Sequence, residues 1–106
     1  MKPLNLKQSE KVTEKTLVRE CSKIGGLSLK WLSSNKAGVP DRICFFPWKI
    51  IKLVEVKSEG LKPSKIQEIT FALLTKLGFP VTIVDTREKV MAFIEEVKRE
   101  QENQIK

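Results

Sequence analysis

The chain contains no histidine. That absence removes Ser-His-Asp and Cys-His catalysis and most zinc sites, which depend on an imidazole. Chemistry is left to carboxylates, lysines, hydroxyls or thiols. Thiols are scarce: Cys21 and Cys44 are the two cysteines, and they sit in apolar segments without CxxC spacing. That placement suits core packing in a reducing compartment. No apolar run approaches the ~20 residues of a membrane span. Met1-Lys2-Pro3-Leu4 leads into a polar stretch rather than the apolar centre of a secretory leader. A cytoplasmic location, in a bacterium or a phage-infected cell, is the expectation. There is no internal repeat and no low-complexity segment.

What is present is a single-domain quantity of chain: 106 residues, 41% of them hydrophobic, enough for one modest core. The expected domain is the whole of 1–106, with a core over about 9–98 and a polar, frayed tail over 99–106. Twenty Lys and Arg against 13 Asp and Glu leave a net charge of +7. A small domain so basic is suited to a polyanion, and nucleic acid is the commonest one.

The pattern predicts alternating element types. Ser9 is placed to cap a helix running to about Ile24, with Leu17, Val18, Cys21 and Ile24 as its apolar stripe and Gly25-Gly26 as its end. Leu27 to Leu32 reads as a strand, and Ser33 to Pro40 as a polar loop. Asp41 to Phe46 and Ile50 to Lys57 read as strands joined by a tight Pro47-Trp48-Lys49 connection. After a loop holding Gly60, Pro63 and Ser64 open a second helix to about Leu77, striped by Ile66, Ile69, Leu73 and Leu77. Gly78 stops it. Val81 to Val84 is a fourth strand, and Asp85 or Thr86 caps a last helix carrying Val90, Phe93, Ile94 and Val97. The order α-β-β-β-α-β-α makes an α/β domain with a mixed four-stranded sheet flanked by helices.

The strand Ile50 to Lys57 carries the candidate chemistry. Side chains alternate along a strand, so Glu55 and Lys57 share a face at its C-terminal end. A carboxylate there suits a hard cation, with the Val56 carbonyl as a further oxygen ligand. The lysine suits orienting a water or offsetting charge on a phosphate. Upstream, Pro40-Asp41 enters the neighbouring strand, and a hairpin brings Asp41 toward Glu55. Two carboxylates would then converge on one Mg²⁺. Alone, an ExK on a strand is usually a surface ion pair and a Pro-Asp is usually a turn. Their combination in adjacent strands of a basic domain points to a site.

Glu14 lies on the same helical face as Leu17, Val18 and Cys21, where a carboxylate needs a partner. Glu10 shares that face. Ser64-Lys65-Ile66-Gln67 is an S-x-x-Q capping box, so Gln67 either folds back on the cap or faces the site. Both readings stay open. Lys30, Lys36, Arg42, Lys49, Lys52, Lys62 and Lys65 lie near this region. Of these, Lys36, Arg42, Lys62 and Lys65 are the candidate phosphate contacts. Trp31 and Trp48 either stack on bases or pack, and packing is the favoured expectation.

Gly38-Val39-Pro40-Asp41-Arg42, then Glu55-Val56-Lys57, then Ser64-x-x-Gln67, together resemble the VRR-NUC branch of the PD-(D/E)xK nucleases. The resemblance runs from roughly Glu14 to Val84. It implies that Asp41 and Glu55, helped by the Val56 carbonyl, bind Mg²⁺ or Mn²⁺, that Lys57 assists the attacking water, and that Gln67 supports the site. Glu14 matches the acidic residue the family carries in its first helix. Short stand-alone members resemble Holliday junction resolvases. The implied activity is therefore a structure-selective DNA endonuclease acting as a homodimer on branched DNA. The alternatives are a less selective flap or nicking endonuclease, or a basic DNA-binding module without catalysis.

Overall fold

A computed structural model describes residues 7–105. The Met1–Leu4 segment and Lys106, the last residue of the expected tail, lie outside the described residues. The elements follow the expected order: α1 (Glu10–Lys23), β1 (Leu27–Lys30), β2 (Arg42–Phe46), β3 (Ile50–Val56), α2 (Lys65–Lys76), β4 (Val81–Val84) and α3 (Arg87–Ile105). The sheet runs β1-β2-β3-β4, antiparallel for the first two pairings and parallel for β3 with β4.

One sheet face is closed by α1 and α3. Leu17, Cys21, Cys44, Phe46, Val54, Val56, Val84, Val90, Phe93, Ile94 and Val97 form the core there. Both cysteines are buried and unbridged, as packing residues should be. Ser9 caps α1 by accepting from Val12 N at 3.2 Å. The chain leaves α1 through Gly25 at φ +80°, and a Cβ on Gly26 would meet the Phe46 ring at 2.5 Å. Glycine is therefore required where α1 turns onto the sheet.

Three expectations need correction. Val18 is exposed and Thr13 joins the buried side of α1 instead, because the helix presents Thr13, Leu17 and Cys21 to the sheet. The segment from Arg99 is not frayed: α3 continues to Ile105. Glu100 pairs with Lys52 of β3 at 2.8 Å, and Gln101 donates to the Pro47 carbonyl, so these contacts tie the last turns to the hairpin. The third correction is the orientation of α2. Its predicted stripe of Ile66, Ile69, Leu73 and Leu77 is 47–73% exposed, while Thr70 and Phe71 are buried. Polar contacts set this rotation. Thr70 Oγ1 donates to the Ala37 carbonyl at 2.7 Å, and Gln67 reaches down to Glu55.

Candidate active site

Strand alternation separates two sets of side chains at the end of the β2–β3 pair. Arg42 and Val54 face α1; Glu55 faces the opposite side, where α2 lies. Asp41 sits one residue ahead of β2 and Lys57 one residue beyond β3. The two ends are adjacent because the hairpin register pairs Arg42 with Val54.

Four of the expected residues come together here. Asp41 N donates to Glu55 Oε1 at 3.0 Å, and Val56 N donates to Asp41 Oδ2 at 2.9 Å. Each carboxylate is thereby tied to the other's strand. Lys57 Nζ lies 3.1 Å from Glu55 Oε2 and donates to Gln67 Oε1 at 2.9 Å. Gln67 Nε2 donates to Glu55 Oε2 at 2.8 Å. The same Gln67 Oε1 accepts from Ser64 N, completing a capping box. The two readings of Gln67 left open by the sequence are both realised: one amide caps α2 and holds Glu55 and Lys57.

Glu55 is 1% exposed. Burial pushes its carboxyl above the ordinary carboxylate range; the Lys57 hydrogen bond opposes this and the Asp41 charge adds to it. A desolvated carboxylate held beside a second carboxylate is an environment that a divalent cation stabilises. The donors fit a hard ion, since Asp41 and Glu55 offer only oxygen. Among the described residues no third Asp, Glu or Cys gathers with them. A cation here would depend on these two side chains, backbone oxygen and water.

Glu14 does not enter this network. Its Oε2 accepts from Arg42 Nη1 at 2.6 Å, on the α1 side of the sheet. Glu10 is exposed near the start of the same helix. Arg42 also departs from the expected phosphate contact: it is 7% exposed, and its guanidinium donates to Ser28 Oγ at 2.7 Å and to the Ser28 carbonyl. The period of the strand explains this, because the residue after Asp41 must point to the opposite face. Lys36, Lys62 and Lys65 are exposed and remain free to meet an anion. Trp31 is half-buried. Trp48 is exposed rather than packed, since it and Lys49 form a hairpin end with positive φ of 74° and 61°.

Sequence reasoning missed the residues that fix the surroundings. Asp85 Oδ2 accepts from Gly60 N at 2.8 Å, and Gln8 and Glu59 exchange backbone and side-chain bonds at 3.0 Å. These ties hold the loop that follows Lys57. Asp85 was legible only as a possible cap, a role taken by Thr86, whose Oγ1 accepts from Lys89 N. Gln8 and Thr70 carried no recognisable signal.

Comparison with known proteins bears on this arrangement. The VRR-NUC domain family model matches residues 5–88. A protein of Acyrthosiphon pisum secondary endosymbiont phage 1 named "Putative nuclease p44" is 41% identical over 75 residues, covering 71% of this chain and 81% of that protein. A solved structure of a VRR-NUC domain superposes with a TM-score of 0.76 at 29% identity, covering 81% of this chain and 94% of the other.

Proposed function

The chain belongs to the VRR-NUC domain family, and from that premise we propose that it is a metal-dependent, structure-selective DNA endonuclease that resolves four-way junctions. The observation that carries the reading is the joined Asp41–Glu55 pair with Lys57 and Gln67 bonded to it.

Asp41, Glu55 and the Val56 carbonyl would hold Mg²⁺ or Mn²⁺, which supplies Lewis-acid activation of a scissile phosphate and a bound water of lowered pKa. The rest of the chemistry belongs to this chain's residues. Lys57 Nζ is kept in place by Glu55 and Gln67. From there it donates to the attacking water and to a phosphate oxygen as negative charge develops. Gln67 is a positioning residue: it touches neither reactant, but fixes the lysine and the carboxylate together. Lys36, Lys62 and Lys65 would grip phosphates on either side, with affinity falling steeply as salt rises.

A two-fold dimer would give two sites for paired cuts across a junction. The sheet face on the α2 side supports that expectation. Leu27, Phe45 and Ile51 are cross-strand neighbours on it, with Leu29 one row further, and all four are 40–56% exposed. These four make a contiguous group of exposed apolar side chains, unlike apolar residues scattered singly over a monomer's surface. We expect sedimentation to give a dimer at micromolar concentration, and Phe45→Lys to give a monomer with parental circular dichroism. A parental protein that sediments as a monomer at 100-fold higher concentration, on the order of the loss a hot-spot substitution causes, would remove this element.

The activity is tested by incubating the purified chain with an immobile four-way junction, a flap and a plain duplex, with and without Mg²⁺ or Mn²⁺. Junction cutting that depends on the ion is expected. Equal cutting of all three substrates contradicts the structural selectivity, and no cutting with any divalent ion contradicts the enzyme.

A further inference from the structure

An open groove of about 770 Å³ lies directly beside Lys57 and Gln67. One wall is the start of α2. The other is the loop from Trp31 to Val39, which the catalytic geometry above does not use. No acidic residue lines it. Its lining combines the cations Lys36 and Lys57 with the apolar surfaces of Trp31, Leu32 and Ile66.

Leu32 is 87% exposed, more than any other large apolar residue described. A single exposed leucine would ordinarily need no account. This one is presented by an ordered loop. Trp31 N donates to the Asp41 carbonyl at 2.8 Å, so the start of the loop is tied to Asp41. Ser33 Oγ accepts from Lys36 N at 3.1 Å and donates to Asn35, closing a tight turn. Thr70 holds the Ala37 carbonyl, and Gly38, at φ +82°, lies against α2 so closely that a Cβ would stand 2.6 Å from the Ile66 carbonyl. The loop is clamped at both ends, and Leu32, directly after the first clamp, stands in solvent.

Cations and an apolar platform in one groove match a nucleotide: phosphate for the lysines, an unstacked base for the aromatic and aliphatic faces. A base paired within a continuous duplex keeps its faces inside the stack and has none to offer. We propose that this groove receives the nucleotide whose stack is broken at a branch point next to the scissile phosphate, whether at a junction crossover or at the first unpaired position of a flap, with its base against Trp31 and Leu32, so that the loop sets the preference for interrupted over continuous duplex. The proposal rests on the nuclease reading of the adjoining site and names what that site selects.

The test uses a single-flap DNA with 2-aminopurine at the first unpaired position, and the same strand fully paired. The full chain is added with Ca²⁺, a larger oxygen-seeking ion, in place of Mg²⁺, so that binding is read before hydrolysis. The flap's emission is expected to change on saturation while the paired strand's does not. Leu32→Ser and Trp31→Ala should each suppress the change and lower the flap-to-duplex cleavage ratio in Mg²⁺ about tenfold, the scale of one lost base-stacking contact. Leu32 is solvent-exposed, so its variant folds even if Trp31→Ala does not. An emission change and a cleavage ratio that survive Leu32→Ser overturn the proposal. Cleavage with no emission response in the parent overturns it while leaving the nuclease standing. An emission response lost in the variants, in a protein that cuts no DNA, supports the groove and sinks the nuclease.

Discussion

Replacing Lys57 with alanine is expected to slow single-turnover DNA cleavage by at least about a thousandfold, while DNA affinity changes by less than about threefold. The asymmetry follows from where the ammonium sits. Its side chain is 17% exposed, with Nζ between Glu55 Oε2 and Gln67 Oε1. A lysine so enclosed adds little to the exposed cations that meet a polyanion, and most of the binding is left to those. In the proposed reaction its charge would instead lie where charge develops during phosphodiester hydrolysis, in a partly dehydrated setting where a fixed cation has most effect. A gel of cleavage under enzyme excess, beside a fluorescence-anisotropy titration of the same DNA, reads both quantities. Unchanged turnover would contradict the assigned role. Gln67→Ala should give an intermediate loss, since it releases Lys57 and Glu55 without removing either.

Glu55→Gln is expected to remove the heat of Mg²⁺ or Mn²⁺ binding and to lower cleavage by at least about a thousandfold. Glu55 would be one of two side-chain oxygen donors in the proposed site, and no other carboxylate gathers with the pair among the described residues. The loss should therefore not be made up by a neighbour. In the parent, divalent affinity should weaken as pH falls through the raised Glu55 pKa, at a pH above the range of an ordinary carboxylate. The cause is burial first, opposed by the Lys57 hydrogen bond and reinforced by the Asp41 charge. The sign for stability is the reverse. A carboxyl whose folded value is raised favours the metal-free fold most below its unfolded value, and that contribution is lost as pH rises through the folded value. Metal-free protein should thus gain more thermal stability from added Mg²⁺ above this window than below it. Isothermal titration calorimetry and melting curves across that range check both statements. A retained binding heat in Glu55→Gln would place the ion elsewhere.

Local chemistry made much of the site readable. Asp41, Glu55, Lys57 and Gln67 stand at positions where a hairpin register, a period of two and a capping box each dictate placement. Those rules act over a few residues, and the structure follows them. Glu14 and Arg42 show the limit. Helical periodicity correctly put Glu14 on the side that faces the sheet, yet its partner proved to be the Arg42 guanidinium, 28 residues on, at 2.6 Å. Nothing in the spacing of either residue encodes that pairing. The ordered last turns of α3 were hidden for a similar reason, because composition reports solubility and the contacts to Lys52 and Pro47 come from a distant hairpin.

By itself the sequence determined the element order, the strand alternation that sends Glu55 and Arg42 to opposite faces, and the absence of any imidazole chemistry. These depend on backbone period and residue type, which are local properties. Only the tertiary structure decided how α2 is rolled. Hydrophobic pattern would bury Ile66, Ile69, Leu73 and Leu77, but Gln67 and Thr70 hold the helix by polar bonds to Glu55 and Ala37 and leave that stripe outside. A stripe says which residues are apolar, whereas the side a helix turns inward depends on what the neighbouring strands and loops offer it.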